Sequence, residues 1–174
     1  KKDLLVYSYR VAGTVGLMMA KILKVSKKKS LKSAIDLGIA MQLTNISRDV
    51  IEDSKNNRFY INKNFEEISS TIKLADIFYK NSFYAIKDIP ISFRFSILVA
   101  RRVYRKIGYK IINQHNFKNY KNSGRIYVSN IEKTLETFFS IFDLIRLSLS
   151  NRNKDETEHA HLLIKEEINL DERI

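Results

Sequence analysis

Gly38, Gln42, Asn45, Asp49 and Asp53 step along the chain by four, three, four and four positions. On an α-helix, residues so spaced stack on one face, about 6 Å apart. Leu37, Ile39, Leu43, Ile46 and Val50 fill the positions between them. A polar seam on a mostly apolar, buried helix must face something that satisfies it. Two carboxylates at i and i+4 repel each other on an isolated helix, and a divalent cation between them removes the repulsion. Hard oxygen ligands on a helix suit Mg2+, with Mn2+ as the alternative ion. Asn45, one turn earlier, adds a carbonyl oxygen or an amide donor. Arg48 and Arg58 flank the acidic pair, and guanidinium forks match diphosphate oxygens. The competing reading is a solvated acidic face paired with Arg48 and Lys55, which is the commoner meaning of a bare D-x-x-x-D.

The elements that must carry this stripe are helical. Only one proline and five glycines occur in 174 residues, which favours long helices over a turn-rich β architecture. A first helix is expected over about Leu4 to Leu23. Its apolar character brings a membrane span to mind, but Ser8, Tyr9, Arg10 and Thr14 interrupt it and favour a buried helix. After the basic linker Lys24 to Lys29, Ser30 is placed to cap a long second helix reaching Asp53. A third helix fits Phe65 to Lys87, and Ser92 opens a fourth. In the fourth, Phe93, Ile97, Ala100, Tyr104, Ile107 and Ile111 share a face, and Arg101, Arg102, Arg105, Lys106 and Lys110 occupy the other side. A polar loop spans Gln114 to Val128. Ser129 and Glu132 then form a capping box for a last helix whose Ile131, Leu135, Phe138, Phe142 and Ile145 fall on one face. Residues 1–150 thus read as one all-α helical bundle, and 151–174 as a charged tail.

Composition narrows the chemistry. With no cysteine there is neither a disulfide framework nor a thiolate metal site. His115 stands alone in the polar loop, and His159 and His161 lie in the charged tail without ligating neighbours. The net charge of +12 calls for an anionic partner. No nucleic-acid recognition motif accompanies it, so phosphorylated substrates or an anionic membrane surface are favoured and nucleic acid is not. Lys27 to Lys29 and Arg101 to Lys110 are either solvated helix faces or peripheral membrane contacts. A cytoplasmic protein, touching the membrane from one side, is the expected setting.

The segment Gln42-Leu43-Thr44-Asn45-Ile46-x-Arg48-Asp49-Val50-x-Glu52-Asp53, followed by Arg58-x-Tyr60, resembles the second aspartate-rich signature of squalene and phytoene synthases. Tyr7-Ser8-Tyr9-Arg10-Val11-Ala12-Gly13-Thr14-Val15-Gly16 resembles that family's tyrosine-plus-valine-alanine-glycine helix. Tyr104-Arg105-x-Ile107 and Arg125-Ile126-Tyr127-Val128-Ser129 resemble its later pocket segments. The resemblance spans about Leu4 to Phe142 and leans toward bacterial phytoene synthases.

This resemblance implies an isoprenoid (terpenoid) synthase-type helical bundle that condenses two prenyl diphosphates head to head in carotenoid and isoprenoid biosynthesis. The substrate it favours is geranylgeranyl diphosphate, passing through a cyclopropyl diphosphate to phytoene. It makes Asp49, Asp53 and Asn45 the Mg2+ ligands, with Gln42 at the same mouth and Arg48 and Arg58 serving the acidic helix or the phosphate. Tyr7 would stand by the reacting carbons, or else be a packed core aromatic. Val11, Ala12 and Gly13 would keep their helix slender beside the substrate chain, or serve close helix packing. Tyr104 and Arg125 match positions at the phosphate end. The family's first aspartate-rich motif, N-terminal to Tyr7, has no counterpart in this sequence. The chain is therefore expected to be an incomplete bundle, inactive alone, needing a missing N-terminal segment or a partner. The alternative is a non-catalytic relative serving as a scaffold or assembly factor.

Overall fold

The computed structural model describes residues 1–150; the expected charged tail, with His159 and His161, lies outside the described residues. The N-terminal rod is α1 (Lys2–Ser8), a π-helical turn (Tyr9–Gly13) and α2 (Thr14–Ile22). The π turn follows directly on Tyr7 and Ser8, and such insertions rotate the side chains beyond them relative to those before. The rod lies against α3 (Lys28–Arg48), the central helix, which α5 (Phe65–Ser82) and α6 (Ile91–Ile112) also contact. Glycines bring the rod and α3 together backbone to backbone. A Cβ at Gly16 would sit 2.2 Å from the Ala34 carbonyl oxygen, and one at Gly38 would sit 2.3 Å from that of Ala12.

The core has two main bodies along α3. Leu5, Tyr9, Ile35, Ile39, Leu43 and Phe78 form the first; Ile46, Val50, Ile72, Ile107, Ile111 and Tyr120 form the second. Leu4 and Tyr104 touch both. A smaller cluster of Phe83, Ile86, Leu98 and Leu147 ties α8 (Asn130–Leu149) to α6.

Several boundaries differ from the sequence expectation. Ser30 does not cap α3, which begins at Lys28; its hydroxyl instead donates to Asp88, which also takes Lys27 at 2.6 Å. The expected second helix breaks at Asp49 (φ −102°, ψ 14°) and resumes as α4 (Val50–Lys55). The third stops at Ser82, and a 3-10 turn (Tyr84–Asp88) leads to Pro90, which rather than Ser92 stands before α6. Within the polar loop a short helix forms, α7 (Phe117–Asn122), capped by the Asn116 side chain accepting from the Asn119 N–H. Its signal was the Asn cap, hidden in an otherwise polar run.

Two faces also differ. Arg101, expected on the open side of α6, is only 5% exposed, while Ala100 and Phe93 are exposed. The Ser129–Glu132 capping box is formed, but α8 turns its polar side inward. Arg102 reaches Glu136 and Asp143 at 2.8 Å each, and Lys110 reaches Glu132 at 2.7 Å. These ion pairs fix the helix so that Ile131, Leu135, Phe138, Phe142 and Ile145 point outward, each at least half exposed. The first helix, expected to be buried, likewise buries only its α3 side; Val11, Val15, Met18, Met19 and Ile22 are exposed. No helix among the described residues is long and apolar enough to cross a membrane.

Candidate active site

The break at Asp49 sets the geometry of the acidic segment. Backbone hydrogen bonds continue across it, from the Asp49 N–H to the Asn45 carbonyl (2.9 Å) and from the Asp53 N–H to the Asp49 carbonyl (2.8 Å). Asn45, Asp49 and Asp53 therefore keep their one-turn spacing through the kink. The kink is held from outside by Tyr120 of α7, whose hydroxyl lies 2.8 Å from both the Ser47 and Arg48 carbonyl oxygens. Sequence reasoning missed Tyr120, because nothing in its neighbourhood resembled a motif and its helix was read as loop.

Asp49 is not a solvated surface acid. Its side chain is 16% exposed, and both oxygens are taken by the Arg48 fork at 2.8 and 2.6 Å. Arg125 adds a contact at 3.2 Å and stands 3.7 Å from Glu52. Forked pairing raises the Arg48 pKa further above its ordinary value. Lys55, the other partner of the surface reading, makes no ion pair to either aspartate. Asp53 has no cationic side chain within ion-pair distance among the described residues, and its pKa is raised, first by burial and then by the Asp49 charge, with Arg58 opposing. One turn before Asp49, the Asn45 Oδ1 is buried and has no hydrogen-bond partner.

Arg58 arrives through a left-handed turn. Asn57, at φ 56°, reverses the chain after α4 so that the Arg58 N–H donates to the Asp53 carbonyl at 2.9 Å. Two residues on, Tyr60 stacks on Tyr7 with ring centroids 4.9 Å apart and accepts its hydroxyl proton at 3.0 Å. That hydrogen bond, ahead of burial, raises the Tyr7 pKa; Arg58 and Asp53 also act on it electrostatically. The structure thus brings Tyr7, Asp53, Arg58 and Tyr60 to one mouth, with Asp49, Arg48 and Arg125 beside it. Tyr60 stood in the motif and was not singled out as a site residue.

The remaining expected residues divide. Tyr104 lies half-buried where the two core bodies meet, near enough to Arg48 to influence its charge. Gln42 is half-buried on α3. Gly13 is buried, and a Cβ there would come within 3.0 Å of Ile35, so close helix packing accounts for it. Val11 is 42% exposed and lines an apolar cleft of about 390 Å3 along α2 and α3, with Val15, Leu37, Gly38 and Met41.

A metal ion fits part of this constellation. An unpartnered carbonyl oxygen, a carboxylate whose ionisation the site disfavours, and a second carboxylate one turn away form a set that a hard cation satisfies. The set is incomplete alone: among the described residues no three His, Cys, Asp or Glu side chains converge as a metal site.

Comparison with known proteins follows the same residues. The squalene/phytoene synthase family model matches residues 1–65, which include Tyr7, Asn45, Asp49, Asp53 and Arg58. The chain is 35% identical over 131 residues to 15-cis-phytoene synthase of Enterobacter agglomerans, covering 63% of this chain and 44% of that protein. It is 36% identical over 130 residues to 15-cis-phytoene synthase of Pantoea ananas, covering 63% and 42%. Phytoene synthase 1, chloroplastic, of Arabidopsis thaliana is 28% identical over 161 residues, covering 75% and 37%. The chain thus spans under half the length of the curated relatives it matches. Its helices, its acidic segment and its first 65 residues carry the likeness of the squalene/phytoene synthase family, with bacterial phytoene synthases as the nearer model.

Proposed function

We propose that this chain forms part of a prenyltransferase that joins two prenyl diphosphates head to head, geranylgeranyl diphosphate giving phytoene. The observation that carries this reading is the Asn45–Asp49–Asp53 series, with its unpartnered Asn45 oxygen and its repelled Asp53 carboxylate, set beside Arg48, Arg58 and Arg125. Asn45, Asp49 and Asp53 would hold Mg2+, which neutralises charge on a departing diphosphate. The facing, first aspartate-rich helix would come from a longer form of the protein or from a partner.

In the proposed reaction the C–O bond to one diphosphate breaks, the electron pair leaves with oxygen, and an allylic cation remains. The second substrate's alkene attacks that cation, and loss of a proton closes a cyclopropane. A second ionisation, rearrangement and proton loss give the hydrocarbon, with no external reductant. Arg58 and Arg125 would fork onto diphosphate oxygens. Arg48 orients Asp49, and Tyr120 holds the kink that aims it. Because Tyr7 donates its proton to Tyr60, its oxygen lone pairs and ring face remain for a passing cation. Val11, Val15 and Met41 line an apolar cleft suited to an isoprenoid chain and to keeping water from the cation. A lipid-soluble product favours work at a membrane surface, and the net positive charge assists contact with anionic lipid.

The test is turnover of labelled geranylgeranyl diphosphate by the full open reading frame with Mg2+. Phytoene formation that Asp49→Ala abolishes supports the proposal. Full-length protein that binds neither geranylgeranyl nor farnesyl diphosphate in Mg2+ would instead support a scaffold.

A further inference from the structure

A second cleft, of about 630 Å3, opens between α5, α6 and α8, and none of its lining residues belongs to the mouth around Asp49 and Asp53. Lys80, Arg101, Arg102, Arg105, Lys106 and Arg146 line it. Their charges are answered unevenly. Asp76 takes Lys80 and Arg105, while Glu136 and Asp143 take Arg102, with Lys106 at 3.6 Å from Glu136.

Among the described residues, Arg101 and Arg146 make no ion pair with a carboxylate. Arg101 is 5% exposed and spends two donors on one neutral acceptor, the Tyr79 carbonyl, at 3.0 and 2.8 Å. Among the described residues Arg146 hydrogen-bonds only to the Tyr84 hydroxyl, at 3.4 Å. Both guanidinium groups bear on the same ring, 4.9 and 5.4 Å from the Phe83 centroid. Beside them the Asn81 amide nitrogen is buried with no acceptor. Burial, with the neighbouring Arg105 charge, pulls the Arg101 pKa down to about 10, and the Asp143 charge opposes this.

Guanidinium groups that meet no carboxylate among the described residues, and an amide donor without an acceptor, line one cleft and suit an anion rich in acceptors. We infer that the cleft between α5, α6 and α8 binds a phosphate-bearing ligand, a phosphomonoester or diphosphate, through Arg101, Arg146 and Asn81. Its volume exceeds what one phosphate fills, and Phe83, Tyr84 and Tyr109 supply flat walls for an organic body. A soluble phosphoester and a phospholipid headgroup share this chemistry.

The probe is inorganic diphosphate, titrated calorimetrically into the full-length protein with EDTA present so that no metal bridges it to the aspartates. Binding is expected in the wild type and in the Asp49→Asn, Asp53→Asn double variant. Arg146→Gln and Asn81→Leu, each checked for folding by circular dichroism, are expected to weaken it about 10-fold or more. Arg146 is exposed, so its replacement leaves the core intact. No metal-free binding, or unchanged affinity in both variants, overturns the assignment. Sedimentation with phosphatidic acid vesicles separates the sources. Pelleting that Arg146→Gln abolishes identifies a headgroup site, and pelleting it leaves unchanged, while free diphosphate affinity falls, identifies a soluble ligand. Because metal is excluded, the result is independent of the proposed turnover.

Discussion

Asp53 is disfavoured as an anion by its own surroundings. Its pKa lies above the ordinary 3.8 because it is partly desolvated and faces the Asp49 charge. The folded protein therefore holds this proton more tightly than the unfolded chain does. Stability from this group falls as pH rises from about 3.8 through the raised value, and it stays lower above that. Asp53→Asn is expected to raise the thermal midpoint at neutral pH in metal-free buffer, and Mg2+ to raise that of wild type more than that of the variant. An equal response of both to Mg2+ would remove the ion from Asp53. Tyr120 permits a second test. Tyr120→Phe deletes the hydroxyl serving the Ser47 and Arg48 carbonyls and should cost about 1–2 kcal/mol in urea unfolding. In the proposed enzyme it should also lower turnover, by loosening the segment that aims Asp49. Asp49, Asp53 and Asn45 were legible because their spacing has a helical meaning. Tyr120 and Tyr60 were not, because their roles depend on contacts across 53 to 73 positions of chain.

At the scale of elements, the rod and α3 meet so closely that side chains have no room. Gly16→Ala and Gly38→Ala each press a methyl onto a backbone carbonyl at 2.2 and 2.3 Å, where no flexible side chain can yield. Each is expected to cost about 1–3 kcal/mol, read from the urea midpoint. Gly124→Ala meets nothing within 4 Å and carries only the strain of φ 65°, so its loss should stay near 1 kcal/mol. Helix count and periodicity were readable in the sequence, as was the capping box of α8. The inward face of α8 was not, because an apolar stripe ordinarily marks the buried side. Here Arg102 and Lys110 draw Glu132, Glu136 and Asp143 inward, and the stripe is left facing out. Arg101 was misplaced for a related reason, since helical phase alone does not show that a buried guanidinium will find a backbone carbonyl.

For the whole molecule, the N-terminal rod and α8 each leave an apolar face exposed, and among the described residues no three potential ligands close into a metal site. In the proposed enzyme, the acidic segment at Asn45, Asp49 and Asp53 by itself should bind metal and diphosphate more weakly than a facing pair of such segments would. The net charge of +12 gives an attraction for diphosphate that is independent of metal and falls with salt. The claim at the centre of this account is that Asn45, Asp49 and Asp53 hold a divalent cation against a diphosphate. Manganese paramagnetic resonance tests it most directly, titrating Mn2+ into the full-length protein with and without inorganic diphosphate. Diphosphate is expected to tighten Mn2+ binding in the wild type more than in the double variant, and Asp49→Asn with Asp53→Asn to remove the protein-bound signal seen without diphosphate. A bound signal that survives the double substitution unchanged would contradict it.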